Sequence, residues 1–324
     1  MGNISYRNAI NEALREEMAR DERVFVLGED ISRYGGTHRV TGGLIDIFGE
    51  DRVRDTPISE NTMVGTALGA ALTGMRPIVE ISYIDFTLLA FDQIVNQVAK
   101  FKYMTGGQAN LPLVIRTQGG MGAGNAAQHS QSLESLFVHI PGLIVVMPST
   151  PYDAKGLLKT AIRADSPVVF IEHKRLYTTK GFIPEREYLL PFGQADIKRE
   201  GRDVTVVATS AMVRVVLDVA DELSKKDIHV EIIDPRTLVP LDVETIINSV
   251  KKTNRLLIVH ESCVRGGVGS EIAAEVQKRA FDYLDAPVQR LGLPNVPIPY
   301  AESLEKLVLP DKTRIVETII DIIK

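Results

Sequence analysis

The sequence is short of the features that mark secreted, membrane-spanning or nucleic-acid-binding proteins. Its 324 residues include a single cysteine, Cys263, which excludes an internal disulfide and fits a reducing compartment. No apolar run approaches the roughly 20 residues that a membrane helix needs, and the first residues lack an apolar signal core. The net charge is −5, with Lys and Arg scattered along the chain, which offers no basic surface to nucleic acid or an anionic membrane. We therefore expect a cytoplasmic globular protein with neither as a partner.

Common nucleotide and metal motifs are also missing or incomplete. The sequence has no GxxxxGK[ST] segment, and its six histidines show no metal-ligand spacing. Glycine-rich loops at residues 120–124 and 266–269 follow strand-like runs, and the second opens a helix, as a phosphate-binding loop does. However, no acidic residue ends a following strand at the spacing that a dinucleotide site requires. A Rossmann-type oxidoreductase therefore stays an alternative and not the favoured interpretation.

What the sequence does contain is a repeated alternation of helix-like and strand-like segments. A helix is predicted between Ser5 and Asp21, where apolar residues recur at helical spacing behind a serine cap. Runs such as Val24–Leu27 are apolar throughout and are separated by helices, which is typical of a parallel sheet covered on both faces. Further strands are predicted at residues 78–81, 113–115, 143–147, 168–171, 204–208, 229–233 and 256–259, and further helices at 60–74, 86–104, 132–139, 152–164, 212–226, 242–251, 270–281 and 313–323.

The alternation lapses once, in a polar stretch that contains Pro184 and Pro191. A chain of this length is long enough for two domains of ordinary size. The prediction is therefore an α/β protein with two parallel-sheet domains, residues 1–176 and 202–324, joined by a linker at 177–201.

Two titratable groups stand out as candidates for proton transfer. Glu60 begins a helix of small and apolar residues, where the helix dipole favours the ionised carboxylate and burial favours the neutral acid. His129 follows the first glycine-rich loop, which lets backbone approach a ligand. Glu29 and Asp30 end the first long strand, at the sheet edge where open α/β sheets bind ligands. Each residue alone also fits a structural role, as a helix cap or a loop histidine.

Six ordered segments together resemble one known family, the beta subunits of thiamine-diphosphate-dependent 2-oxo acid dehydrogenases. The segments are Asp55-Thr-Pro-Ile-Ser-Glu60, Arg76-Pro-Ile-Val-Glu80 with Phe86, Ala126-Ala-Gln-His-Ser-Gln131, Pro148-Ser-Thr-Pro-Tyr-Asp-Ala-Lys155, Pro167-Val-Val-Phe-Ile-Glu172 and Asp234-Pro-Arg-Thr-Leu-Val-Pro-Leu241. The resemblance runs from about residue 4 to the C-terminus. It implies a transketolase-like pyrimidine-binding domain followed by a transketolase C-terminal-type domain.

The resemblance also implies roles for particular residues. Glu60 matches the carboxylate that hydrogen-bonds the aminopyrimidine ring nitrogen of thiamine diphosphate. Ile58 and Phe86 match residues lining the cofactor pocket, and Glu29 matches an acidic residue near the pyrimidine. His129 matches the histidine that donates a proton during reductive acylation of a lipoyl group, a general-acid role.

Partners and metals follow from the resemblance in the same way. Thiamine diphosphate needs Mg²⁺, which the family holds through a Gly-Asp-Gly segment and a later Asn, and this sequence has no Gly-Asp-Gly. The diphosphate and metal are therefore expected on an alpha subunit, in an α2β2 heterotetramer. Asp285 is expected to contact the subunit-binding domain of the dihydrolipoyl acyltransferase. Some members also hold K⁺ near the equivalents of Leu113, Ala161 and Ser166.

The expected reaction is oxidative decarboxylation of a 2-oxo acid, with transfer of the acyl group to lipoyl-lysine. The sequence does not distinguish pyruvate from branched-chain substrates, and an acetoin dehydrogenase beta subunit fits the same segments. A non-catalytic subunit that only docks the acyltransferase is a further alternative.

Overall fold

The computed structural model describes residues 2–324. The strands in that range are β1 Gly2–Ser5, β2 Val24–Gly28, β3 Val53–Asp55, β4 Arg76–Ile81, β5 Val114–Gly119, β6 Ile144–Val146, β7 Val168–His173, β8 Lys180–Ile183, β9 Asp196–Arg199, β10 Val204–Ala208, β11 Val230–Asp234, β12 Thr237–Val239, β13 Leu256–Cys263 and β14 Gln289–Leu293. The α-helices are α1 Tyr6–Arg20, α2 Leu44–Phe48, α3 Glu60–Leu72, α4 Ala99–Met104, α5 Glu134–Val138, α6 Pro151–Arg163, α7 Ala211–Ser224, α8 Val243–Thr253, α9 Val268–Ala280, α10 Glu302–Val308 and α11 Lys312–Ile323.

The chain divides into two compact units. Unit 1 consists of Met1–Gly119 and Leu136–Phe192, and unit 2 of Gly120–Ser135 and Gly193–Lys324. The change of unit at Phe192 falls inside the predicted linker, whereas the segment Gly120–Ser135 differs from the predicted division because it belongs to unit 2. The predicted α/β class with mostly parallel sheets is confirmed.

In unit 1, six parallel strands pair in the order β6-β7-β5-β4-β2-β3. Strands β2, β4, β5 and β7 are buried along their whole length, as expected when helices cover both faces of a parallel sheet. Strands β2, β3 and β4 are neighbours, so their carboxyl ends meet at one edge. Helix α1 begins where expected, because the hydroxyl of Ser5 accepts from the backbone N–H of Asn8.

Unit 2 has a five-stranded sheet in the order β14-β13-β10-β11-β9. Its strands are parallel except β9, which runs antiparallel to β11 at the edge. Helices α7 and α11 pack on one side of this sheet, where Val216, Val219, Ile315 and Ile319 join the buried core. The apolar strands and amphipathic helices of this half account for the agreement with the predicted elements.

Two stretches differ from the predicted elements. Residues 86–104 are not one α-helix: a 3₁₀ segment at Ile84–Ala90 and a π-helical segment at Gln93–Val98 precede α4. The Thr87 hydroxyl donates to the Ile84 carbonyl at 2.5 Å, which favours the tighter turn. The predicted linker contains β8, which pairs antiparallel with β1, and β9. Both are short edge strands, whose polar sequences carry little periodicity.

No helix among residues 2–324 is both long enough and apolar enough to cross a membrane.

Candidate functional site

Glu60 is the first residue of α3, directly after the loop that follows β3. The loop is held to the neighbouring strand, because the N–H of Thr56 donates to the carbonyl of Gly28 at 2.9 Å. Glu60 is only 6% exposed, while Met63 and Val64 in the next turn are fully buried or nearly so. Within residues 2–324 the Glu60 side chain forms no hydrogen bond or ion pair. A buried carboxylate with unused acceptor oxygens is suited to bind a donor from outside the chain.

A second carboxyl group lies close to Glu60. Glu29 directly follows β2, and burial raises its pKa, with further upward contributions from the negative charges of Glu60 and then Asp30. Two nearby carboxylates repel each other, so the pair favours holding a proton. The structure therefore brings together Glu29 and Glu60, the two acidic residues that the family resemblance places near the pyrimidine.

Ile58 follows β3 and Phe86 follows β4, and these two strands flank β2 in the sheet. Ile58, two residues before Glu60, is 78% exposed. Phe86 is half-buried in the 3₁₀ segment that follows β4. This segment packs against α3. An exposed aliphatic residue, a half-buried ring and two carboxyl groups thus occupy the carboxyl ends of three adjacent strands. Apolar side chains beside a few convergent polar groups are typical of a small-molecule site.

A buried charge cluster beneath this edge was missed by the sequence analysis. Arg116 on β5 is fully buried, and its guanidinium donates to Glu80 on β4 at 2.7 Å and to Glu172 on β7 at 2.7 and 3.0 Å. The Tyr177 hydroxyl donates to Glu172 at 2.6 Å. The signal was present, since each charge interrupts an apolar strand, but the pairing requires knowing that β4, β5 and β7 are neighbours.

Burial raises the pKa of Glu80, although the adjacent Arg116 opposes that shift. Burial would lower the pKa of Arg116, but the charges of Glu172 and Glu80 outweigh it and raise that pKa. Glu80 lies opposite Gly28 in the parallel register, one residue before Glu29. A methyl group at Gly36 would come within 2.8 Å of a Glu80 carboxylate oxygen. The cluster therefore supports the strand ends that carry the candidate site.

His129 lies on a segment that is anchored within unit 2. The N–H of Met121 donates to Glu261 at 3.1 Å, and the N–H of Gly122 donates to Glu305 at 2.7 Å. The Met121 side chain is fully buried in a small cluster with Leu293 and Ile298. His129 itself is half-buried. This anchoring explains why a loop that follows a strand of unit 1 is part of the other unit.

The three residues suggested for K⁺ lie around one turn of unit 1. The Leu113 carbonyl accepts from the N–H of Val168 at 2.9 Å, and the Ala161 carbonyl from that of Ala164 at 3.3 Å. The ammonium group of Lys102 donates to the Ser166 hydroxyl at 3.2 Å and to a backbone carbonyl of the same turn at 3.1 Å. A cationic side chain of the protein itself thus occupies part of this turn.

Asp285 lies on the surface of unit 2, after the turn Phe281–Tyr283. Its side chain is 58% exposed and lies 3.5 Å from the guanidinium of Arg255. The two aromatic residues of the turn, Phe281 and Tyr283, are also exposed. Among residues 2–324, no group of three or more His, Cys, Asp or Glu side chains is arranged to hold a metal ion.

Comparison with known families and solved structures shows the class of protein to which the chain is similar. Residues 2–180 match the family described as transketolase, pyrimidine binding domain, and residues 193–315 match the transketolase C-terminal domain. A solved structure described as a split gene transketolase, inactive beta4 tetramer, is similar with a TM-score of 0.82 over 99% of both chains, at 23% identity. That likeness supports a transketolase-like fold.

Curated relatives are considerably closer in sequence. The pyruvate dehydrogenase E1 component subunit beta of Rickettsia felis is 49% identical, covering 98% of this chain and 97% of the relative. The 2-oxoisovalerate dehydrogenase subunit beta of Bacillus subtilis is 48% identical, covering 96% and 97%. The acetoin:2,6-dichlorophenolindophenol oxidoreductase subunit beta of Bacillus subtilis is 47% identical, covering 99% and 97%. The chain belongs to the family of beta subunits of thiamine-diphosphate-dependent 2-oxo acid dehydrogenases.

Proposed function

We propose that this chain supplies the pyrimidine-binding half of a thiamine-diphosphate site, with Glu60 as the residue that activates the cofactor. The observation that carries the proposal is the Glu60 carboxyl group, buried at the start of α3 with no internal partner. The reaction is the oxidative decarboxylation of a 2-oxo acid. Relatives named for pyruvate, 2-oxoisovalerate and acetoin are about equally similar, so the proposal extends to the reaction class and leaves the three substrates as alternatives.

Bound thiamine diphosphate would supply a carbon nucleophile and an electron sink for the decarboxylation. Glu60 holds a proton between its carboxyl oxygen and the pyrimidine ring nitrogen. Glu29, whose pKa is raised by burial and by the charge of Glu60, favours retention of that proton within the pair. Ile58 and Phe86 provide apolar walls that exclude water from the ring.

The rest of the cofactor is assigned to another polypeptide. The absence of a Gly-Asp-Gly segment from the sequence supports a site in which an alpha subunit holds the diphosphate and Mg²⁺. We propose an α2β2 heterotetramer with the cofactor shared between the two kinds of chain. Isolated beta chain is then expected to bind thiamine diphosphate weakly, and calorimetry with and without the alpha subunit measures the difference.

His129 is proposed as the proton donor when the acyl group passes to a lipoyl-lysine of the acyltransferase. Its place on a glycine-rich segment supports a role at a surface that receives an external group. His129→Ala should reduce lipoyl acylation more than decarboxylation coupled to an artificial electron acceptor. Equal losses in the two assays would contradict the assignment.

Docking of the acyltransferase is proposed at Asp285, beside the exposed Phe281 and Tyr283. A basic group of the partner would compete there with Arg255, so Asp285→Ala should weaken docking without affecting decarboxylation. If docking alone is lost and Glu60→Gln is silent, a purely docking subunit replaces the enzymatic proposal.

Binding of K⁺ at Leu113, Ala161 and Ser166 is the remaining part of the proposal. The Lys102 ammonium competes for that turn. The expected result is a higher melting temperature in K⁺ than in Na⁺, with a larger difference in Lys102→Met. Equal melting in both salts for both proteins would exclude the site.

Glu60→Gln tests the central assignment. The amide is nearly isosteric but cannot accept and return the proton, so we expect a loss in decarboxylation of about a hundredfold or more with unchanged melting. Glu22→Gln, at an exposed position of unit 1, is the matched control and should retain activity. Near-normal decarboxylation by Glu60→Gln in the assembled enzyme would refute the role. Turnover of pyruvate, a branched 2-oxo acid and acetoin by the same assembly identifies the substrate.

A further inference from the structure

Unit 2 contains an open pocket of about 590 Å³ between the carboxyl ends of β13 and β14. Three arginines line it, and none of the lining residues is acidic. Arg265 comes from the loop after β13, Arg290 from β14 and Arg314 from α11. Three positive charges with no compensating carboxylate are unusual in a chain whose net charge is −5, and such a pocket favours an anion.

The three arginines differ in the hydrogen bonds and ion pairs that their guanidinium groups already form. Arg290 donates to the Val264 carbonyl at 3.2 Å and to the Ser270 hydroxyl, which fixes its guanidinium against the pocket wall. Neither Arg265 nor Arg314 forms an ion pair within residues 2–324. Their guanidinium N–H groups are therefore available to an external acceptor.

Arg314 reaches the pocket from the start of α11. It lies in the first turn of that helix, where Asp311 caps its backbone N–H at 2.8 Å. Lys312 of the same turn is paired with Asp218 at 2.7 Å. Within residues 2–324 neither carboxylate pairs with the guanidinium of Arg314, which lines the pocket.

The start of α9 borders the pocket, which Gly266 and Ser270 line. Its N-cap is Gly267, which has no side chain with which to cap the helix. The buried ring of His260 points at this turn, and its Nε2 atom has no hydrogen-bond partner. A methyl group at Gly269 would lie 2.7 Å from that Nε2 atom. The glycines at 267 and 269 therefore make room for the ring, and the helix start is left without a side-chain cap.

We propose that this pocket binds a small molecule through a phosphate group. Guanidinium groups pair with phosphate oxygens through two parallel hydrogen bonds, and three of them match a doubly charged oxyanion. The volume exceeds that of a phosphate ion, which leaves room for the rest of a phosphate ester. All residues that line the pocket belong to unit 2, and the proposal does not depend on the proposed decarboxylation.

The test uses the full-length chain with any partner it retains, saturated with thiamine diphosphate so that the cofactor site is filled. Binding of inorganic phosphate, adenosine monophosphate and adenosine is measured by calorimetry. We expect saturable binding of both phosphate compounds that weakens with added NaCl, and none of adenosine. Tighter binding of the monophosphate than of phosphate indicates an ester as the natural ligand, whereas equal binding indicates the free ion.

Variants locate the binding. Arg265→Gln/Arg314→Gln should lower the affinity by about tenfold or more, since two charge-assisted contacts are lost. Arg202→Gln is the matched control for the single change Arg265→Gln, because it removes one charge from an exposed site of unit 2 outside the pocket. If the double variant fails to fold, Arg265→Gln alone, at an exposed position, must still weaken binding. Absence of saturable binding to the unmodified protein, or unchanged affinity in the folded variant, overturns the proposal.

Discussion

The two units differ in how their buried charged groups are paired. In unit 1, strands β4, β5 and β7 bury the ion cluster of Glu80, Arg116 and Glu172. In unit 2, the buried carboxylates of Glu231 and Asp234 pair with Lys252 and Lys198, whose side chains reach solvent. The strands β10 and β13 also bury the uncharged side chains of Thr205 and His260. A buried ion pair is costly to desolvate, whereas hydroxyl pairs cost little once they are hydrogen-bonded.

The contrast follows the location of the candidate site. The charged cluster of unit 1 lies at the strand ends that carry Glu29 and precede Phe86, beside the site proposed for the cofactor. Unit 2 instead carries unpaired positive charge on its surface, in the arginine-lined pocket. Unit 1 thus encloses a fully buried ion cluster beside the proposed cofactor site, whereas the proposed anion pocket of unit 2 exposes its arginines.

The largest expected effect comes from removing the central cation of unit 1. Arg116→Met leaves Glu80 and Glu172 buried without their partner, and we expect the free energy of unfolding to fall by about 3–5 kcal/mol. Urea denaturation near neutral pH, combined with hydrogen exchange of β5, measures the loss in that unit. The triple change Arg116→Met/Glu80→Gln/Glu172→Gln should recover part of it, because no unpaired charge remains. A loss no larger than that of Thr205→Val would remove the contrast between the units.

The second effect is a pH dependence in unit 2. Burial, with a smaller contribution from Arg290, lowers the pKa of His260 from 6.5 to about 4. Between these two pH values the unfolded chain binds a proton on His260 that the folded chain does not bind. The stability contributed by neutral His260 is therefore complete above pH 6.5 and falls as the pH drops towards 4. The loss is at most about 3 kcal/mol over that window.

In His260→Gln the free energy of unfolding should depend less steeply on pH over this window than in the unmodified protein, whatever the effect of the change at neutral pH. Urea midpoints across the window, with hydrogen exchange of β13 to assign them to unit 2, provide the measurement. His38 in unit 1 also has a pKa lowered to about 4, mainly by burial, but it is less enclosed and should contribute less. An unchanged slope in His260→Gln would mean that the ring is not the source of the dependence.

The sequence predicted most of the fold because its signals are local. Continuous apolar runs identified β2, β4 and β7, and Ser5 identified the start of α1. Glu60 could be selected because the change from polar loop to apolar helix is visible within a few residues. Its role and that of His129 came from the family resemblance, and both remain predictions.

What the sequence did not reveal depends on contacts between distant residues. The assignment of Gly120–Ser135 to unit 2 rests on bonds such as that from Met121 to Glu261, which are 140 residues apart. The charge cluster requires the order of non-consecutive strands, and the arginine-lined pocket combines a loop, a strand and a helix. The single helix predicted at residues 86–104 was wrong because apolar periodicity does not distinguish α from 3₁₀ or π geometry.

The smallest expected effect comes from a buried hydroxyl network in unit 2. The Thr205 hydroxyl lies 2.6 Å from those of Ser249 and Thr253, all three buried. Thr205→Val keeps the shape and removes only this polar group, so unfolding should become easier by about 1–2 kcal/mol. Thr318→Val is the matched control, because its hydroxyl donates only to the Arg314 carbonyl of its own helix, and it should change the urea midpoint little. A loss for Thr205→Val as large as that for Arg116→Met would show that hydroxyl networks stabilise this fold as strongly as its buried ions.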